Sequence, residues 1–132
     1  MTRLCLDTSA YSHFMRGHPP CVAAVTGATE VLLPVIVLGE LRVGFRLGKA
    51  LEKNERALAA FLASDPVEVI HIDEQVASTY AELVVELRRA GTPVPTNDIW
   101  IAASAICEGA TVLTYDEHFQ RITRAGTSLL HP

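Results

Sequence analysis

Four carboxylates in this chain stand beside apolar runs, where acidic residues are not expected without a task. Asp7 follows Leu4-Cys5-Leu6, and Asp116 lies two residues past Val112-Leu113-Thr114. Asp98 opens the stretch NDIWIAASAI, and Glu40 falls in line with Ile36, Val43 and Leu47 at helical spacings. An acid in register with apolar positions points inward, and Glu is rarely buried unless it is paired. Two carboxylates about 4 Å apart repel by roughly 4 kcal/mol at an effective dielectric near 20. Four that converge stay ionised only if divalent cations compensate them, or else some take up protons. All-oxygen ligands without Cys or His suit hard ions, Mg²⁺ or Mn²⁺. Such an ion meets a phosphodiester, activates a water and stabilises the leaving oxygen.

Bland roles compete with this reading. Each aspartate stands where a helix can begin, and Asp is a favoured N-cap. Glu40 has Arg42 and Arg46 nearby as ion-pair partners. Residue types and spacing alone leave both readings open.

The elements that would position these acids follow from periodicity. Short apolar runs at Leu4–Leu6, Val31–Leu33, Val67–Ile72, Ala110–Thr114 and Ser128–Leu130 are expected strands. Between them, Val35–Leu47, Ala50–Ala63, Asp73–Ala90 and Asp98–Cys107 are expected helices, the last two closed by Gly91 and Gly109. On Val35–Leu47 the expected inward stripe is Ile36, Glu40, Val43 and Leu47. Thr92-Pro93-Val94-Pro95 forms a stiff connector. Strand–helix alternation means an α/β fold, a three-layer α/β/α sandwich with a mostly parallel central sheet. In such sheets ligands bind beyond the carboxyl ends of the strands, where Asp7 and Asp116 project.

With 132 residues, 49% of them hydrophobic and 20% charged, the chain suits a single folded domain over residues 1–132. No apolar run reaches the roughly 20 residues of a membrane span, and no signal-peptide pattern opens the chain, so a cytoplasmic protein is expected. Cys5, Cys21 and Cys107 form no C-x-x-C pair and are expected as free thiols. His13, His18, His71, His118 and His131 are scattered and are expected at the surface or in loops. The net charge of −4 argues against broad nonspecific binding to nucleic acid. It leaves room for a nuclease whose metal ions bridge substrate phosphates, and nine of the eleven basic residues are Arg, suited to phosphate contacts.

LCLDTSAY, the Glu40 of VLGELRVG, NDIWIAA and TVLTYDEHF, in this order and spacing, together resemble the PIN-domain ribonucleases. Within that family the chain looks like the VapC toxins of prokaryotic toxin–antitoxin pairs, over about residues 3–131. The resemblance implies a metal-dependent endoribonuclease with Asp7, Glu40, Asp98 and Asp116 as the catalytic, metal-binding acids. It also implies that Thr8 or Ser9, with Thr114, supports those acids, while Asn97 orients a water or a carboxylate. Arg42 would meet substrate phosphate or hold Glu40. Implied partners are an RNA substrate, a second copy in a homodimer, and a small antitoxin in a toxin–antitoxin hetero-oligomer. Two amphipathic helices over Val35–Leu62 offer a binding surface, and an antitoxin Arg would compete with metal in the acidic pocket. Tyr11 and Phe14 are candidates to line the site, with Trp100 in the core.

Other readings fare worse. A haloacid-dehalogenase-type phosphatase needs an acid/base Asp at position 9, which is Ser, and a late Lys, but none follows Lys53. A response-regulator receiver wants adjacent acids after the first strand and the same late Lys. A catalytically inert PIN-like binding module remains the alternative, opposed by intact carboxylates at all four places.

Overall fold

The computed structural model describes residues 1–132. Elements run in the order β1 (Arg3–Leu6), α1 (Thr8–Met15), α2 (Pro19–Thr26), β2 (Glu30–Pro34), α3 (Val35–Leu47) and α4 (Leu51–Ala63). There follow β3 (Val67–Ile70), α5 (Glu74–Ala90), α6 (Thr96–Glu108), β4 (Thr111–Thr114), a 3₁₀ turn (Glu117–Arg121) and β5 (Thr127–Leu129). The five strands form one sheet, ordered β3-β2-β1-β4-β5, and every pairing is parallel. A parallel sheet is covered on both faces, so its central strands are apolar throughout. Cys5, Leu6, Val31 to Leu33, Val112 and Leu113 are accordingly buried in one continuous core. The expected α/β three-layer sandwich is the fold.

From β1 the chain steps outward through β2 to β3, then returns to place β4 and β5 on β1's other side. The direction of winding thus reverses between β1 and β4. A crevice opens at such a reversal outside the strand carboxyl ends, and it is the usual ligand position in open α/β sheets. Asp7 and Thr114 emerge there side by side, because Leu6 registers with Leu113 and the Asp7 amide donates to the Leu113 carbonyl at 3.3 Å.

Several local expectations shift. Helices α1 and α2 fill a stretch that periodicity left unassigned; their signals are the Asp7 cap and Pro19 at the first helical position. Strand β3 stops at Ile70, and Asp73 caps α5 by accepting from the Val76 amide at 3.0 Å. Gly91 and Gly109 close α5 and α6 in the left-handed conformation, at φ 68° and 63°. Helix α6 begins at Thr96, so Asp98 sits in its first turn and does not cap it.

The largest correction concerns α3. Its core face is Val37, Leu38 and Leu41, whereas Val43 and Leu47 are 59% and 84% exposed. Strand β2 runs into α3 with no residue between them, so the strand exit fixes the helix's rotation: Ile36 still packs against the core and Glu40 is half-buried, but the later half of the expected stripe turns outward. Two aromatic expectations change as well. Tyr11 and Phe14 both pack edge-on against Phe61, tying α1 to α4 away from the carboxylates. Trp100 is half-buried and stacks on Tyr80 at 3.7 Å, joining α6 to α5 at the margin of the core.

Candidate metal centre

Asp7 is the innermost acid, 4% exposed. It caps α1 through Oδ1, which accepts from the Ala10 amide at 2.8 Å and from Ser9 Oγ at 2.7 Å. Its Oδ2 accepts from Thr114 Oγ1 at 2.5 Å. Burial pushes the Asp7 carboxyl above the usual carboxylate range; donors from Thr114, Ala10 and Ser9 pull it back, and the charge of Asp116 pushes it up. With both oxygens engaged, Asp7 cannot rotate.

Thr114 and Ser9 stitch β1 to β4. Thr114 Oγ1 accepts from the Asp116 amide at 2.9 Å while donating to Asp7. Ser9 Oγ accepts from the Tyr115 amide at 3.0 Å while donating to Asp7. Asp116 in turn caps the 3₁₀ turn, accepting from the His118 amide at 2.9 Å.

Glu40 is gripped from two sides. Thr8 Oγ1 donates to Oε1 at 2.6 Å, and Asn97 Nδ2 donates to Oε2 at 3.3 Å. The carboxylate therefore bridges the starts of α1 and α6, although Val43 and Leu47 of its stripe on α3 face outward. Arg42 does not hold Glu40; it pairs with Glu55 on α4 at 3.3 Å, joined by Arg46 at 3.7 Å. Two residues along a helix is about 200° of rotation, which points Arg42 away from Glu40.

Asp98 accepts no hydrogen bond within the protein. Its carboxyl is pushed up to about 6, first by burial and then by the charges of Asp116, Glu40 and Asp7. All four sequence-flagged acids thus share one electrostatic neighbourhood. Ligand atoms of Asp98, Asp116 and His118 lie within 4.8 Å of one another. Asp7 and Glu40 stand outside that triplet, held by their donors.

His118 lies in the turn with its side chain 41% exposed, as expected of a surface or loop histidine, yet it also stands beside Asp116. Its Nδ1 is buried, lies 3.0 Å from Asp116 Oδ1, and makes no hydrogen bond, because the approach angle is unsuited to one. The available signal was its position two residues after Asp116, which a tight turn folds back.

No Lys or Arg pairs with any of the four carboxylates. Oxygen ligands plus one imidazole fit a hard or borderline divalent ion, Mg²⁺ or Mn²⁺. A hollow of about 330 Å³ lies elsewhere, between α5 and the α5–α6 connector, lined by Tyr80, Leu87, Arg88 and Val94 among others.

Residues 4–125 match the PIN domain family. The chain is 30% identical to ribonuclease VapC5 of Mycobacterium tuberculosis over 122 residues, covering 92% of this chain and 89% of the relative. It is 40% identical to ribonuclease VapC4 of the same organism over 85 residues, which span 64% of this chain and 65% of that protein's length. Among solved structures, VapBC2 of Rickettsia felis bound to a fragment of its promoter DNA superposes with a TM-score of 0.83 at 28% identity, covering 97% of this chain and 98% of that one. Fold, ordered acids and relatives agree: the chain belongs to the PIN-domain family, in its VapC branch.

Proposed function

We propose that this chain is a metal-dependent endoribonuclease acting as the toxin of a type II toxin–antitoxin pair, one PIN domain working in the cytoplasm. One observation carries the reading. Asp7, Glu40, Asp98 and Asp116 are separated by up to 109 positions in the chain, yet the charges of the other three all bear on Asp98, that of Asp116 bears on Asp7, and no Lys or Arg neutralises them. A fold does not retain such repulsion for stability, so it supports a site that needs a cation.

A Mg²⁺ or Mn²⁺ ion bound there would bind the scissile phosphate, lower the pKa of water and neutralise charge on the leaving oxygen. The protein's part is positioning. Asp98 and Asp116, with His118 Nδ1, offer the nearest set of ligand atoms. Asp7, locked by Ser9, Ala10 and Thr114, and Glu40, locked by Thr8 and Asn97, present fixed negative charge from the other side. Asp98 alone is free to turn and, with its carboxyl near 6, to hold or release a proton close to neutral pH.

Partners follow from the surface. A groove between α1, α3 and α4 is lined by Tyr11, Met15, Leu41, Phe45 and Ala57, and Met15 and Leu51 are exposed. It supports antitoxin docking on the Val35–Leu62 segment. The outward Val43 and Leu47 support contact with a second copy. No helix is long and apolar enough to cross a membrane.

The test compares wild type with Asp98→Asn on a radiolabelled RNA pool, with Mg²⁺ or with chelator, alongside antitoxin pull-down. Cleavage confined to wild type plus metal, with antitoxin retained by both proteins, is the expected result. Equal toxicity and no cleavage from either protein would favour the inert binding module.

A further inference from the structure

Beside the carboxylates stands a group of rings at the margin of the core. His13 of α1 stacks on Tyr115 with ring centres 3.7 Å apart and planes 13° from parallel. His18 closes the group, 5.4 Å from Tyr115 and 5.6 Å from His13. The cluster is bolted to the centre. His13 Nδ1 bonds the Ser9 carbonyl at 2.9 Å, and the Tyr115 amide donates to Ser9 Oγ, which itself donates to Asp7. His18 Nδ1 meets the Tyr115 hydroxyl, and Tyr115 directly precedes Asp116.

These rings are only partly buried. Phe119 and Tyr11 are buried, whereas His13, His18 and Tyr115, which also packs against the core, all keep contact with solvent. The net charge is −4; Arg3, Arg42, Arg46, Arg121 and Arg124 are engaged with protein oxygens, while Arg16, Lys49, Lys53, Arg56, Arg88 and Arg89 are exposed. Beside phosphate contacts, base stacking adds affinity that is sequence-tolerant and needs only an aromatic face.

We infer that His13 and Tyr115 form a stacking step for an unpaired nucleobase next to the scissile phosphate. The inference rests on the endoribonuclease reading. A base inside a duplex has no free face, so single-stranded loops are the substrate class this step selects.

The experiment measures steady-state cleavage of a single-stranded oligoribonucleotide by purified wild type, His13→Leu, His13→Phe, Tyr115→Leu and Tyr115→Phe, with thermal midpoints recorded for each. In the Asp98→Asn background the same substitutions are read by quenching of 2-aminopurine placed beside the cleavage site. His13→Leu and Tyr115→Leu should raise KM by about tenfold, leave kcat within about twofold and lose the quenching. The Phe variants should retain KM, because they keep a ring. If Tyr115→Leu does not fold, His13→Leu still decides. An active wild type matched by His13→Leu in KM, cleavage pattern and quenching would overturn the stacking step alone. A wild type that cleaves no RNA would overturn it together with the reading beneath it.

Discussion

Charge gathers at both ends of the central strands β1 and β4, and the two ends follow opposite rules. At the amino end Arg3 lies between Glu30 and Glu108: its Nε donates to Glu30, its Nη1 to the Glu108 carbonyl, and its Nη2 stands 3.4 Å from the Glu108 carboxylate. Each acid there has a cation. At the carboxyl end four acids meet with one imidazole and no Arg or Lys. The same residue type is structural where the chain supplies its own counter-charge and available for chemistry where it does not.

Removing one charged residue from each end separates the two rules. Asp98→Asn should abolish metal-dependent cleavage, a loss of at least about a hundredfold. It should also raise the thermal midpoint of the metal-free protein, since it deletes a repulsive charge that no hydrogen bond secures. A midpoint that falls would mean Asp98 has a structural partner.

Thr114→Val tests the stitch between Asp7 and Asp116. The hydroxyl is fully buried and serves both a carboxylate and an amide, so its loss should destabilise the fold by about 1–3 kcal/mol in denaturant titrations. Cleavage should fall with it.

The pH dependence has a definite sign. Asp98 binds its proton more tightly folded than unfolded, so its unfavourable contribution is absent below the ordinary carboxylate range and complete above about 6. The metal-free midpoint should therefore decline as pH rises from about 4 to 6 relative to Asp98→Asn, and saturating Mn²⁺ should cancel the decline. A flat difference between the two proteins over that range would mean that neither burial nor the neighbouring charges raise the Asp98 carboxyl.

Arg3→Met is the smallest perturbation. It should lower the midpoint slightly and leave cleavage unchanged, because Arg3 is part-exposed and at the far end of the sheet.

Much of this organisation is legible in the residues. An acid directly after Leu4-Cys5-Leu6, and another just past Val112-Leu113-Thr114, must sit at one sheet edge once the strands are parallel. What periodicity does not convey is which of two apolar faces meets the core. On α3 both Val37-Leu38-Leu41 and Ile36-Val43-Leu47 are apolar, and only the abrupt exit from β2 decides between them. His118 and Arg42 fail for a related reason. A 3₁₀ turn brings a residue two positions on back to Asp116, whereas two positions on a helix carry Arg42 away from Glu40. Tyr11 and Phe14 are near Asp7 in sequence, but both pack against Phe61 of α4.

The most direct test is calorimetric titration of Mn²⁺ into the antitoxin-free protein and into Asp98→Asn at pH 7.5. Saturable binding by the wild type, weakened at least about tenfold in the variant, is the predicted outcome for acids gathered around one ion. Indistinguishable isotherms for the two proteins, or no heat from either, would contradict it.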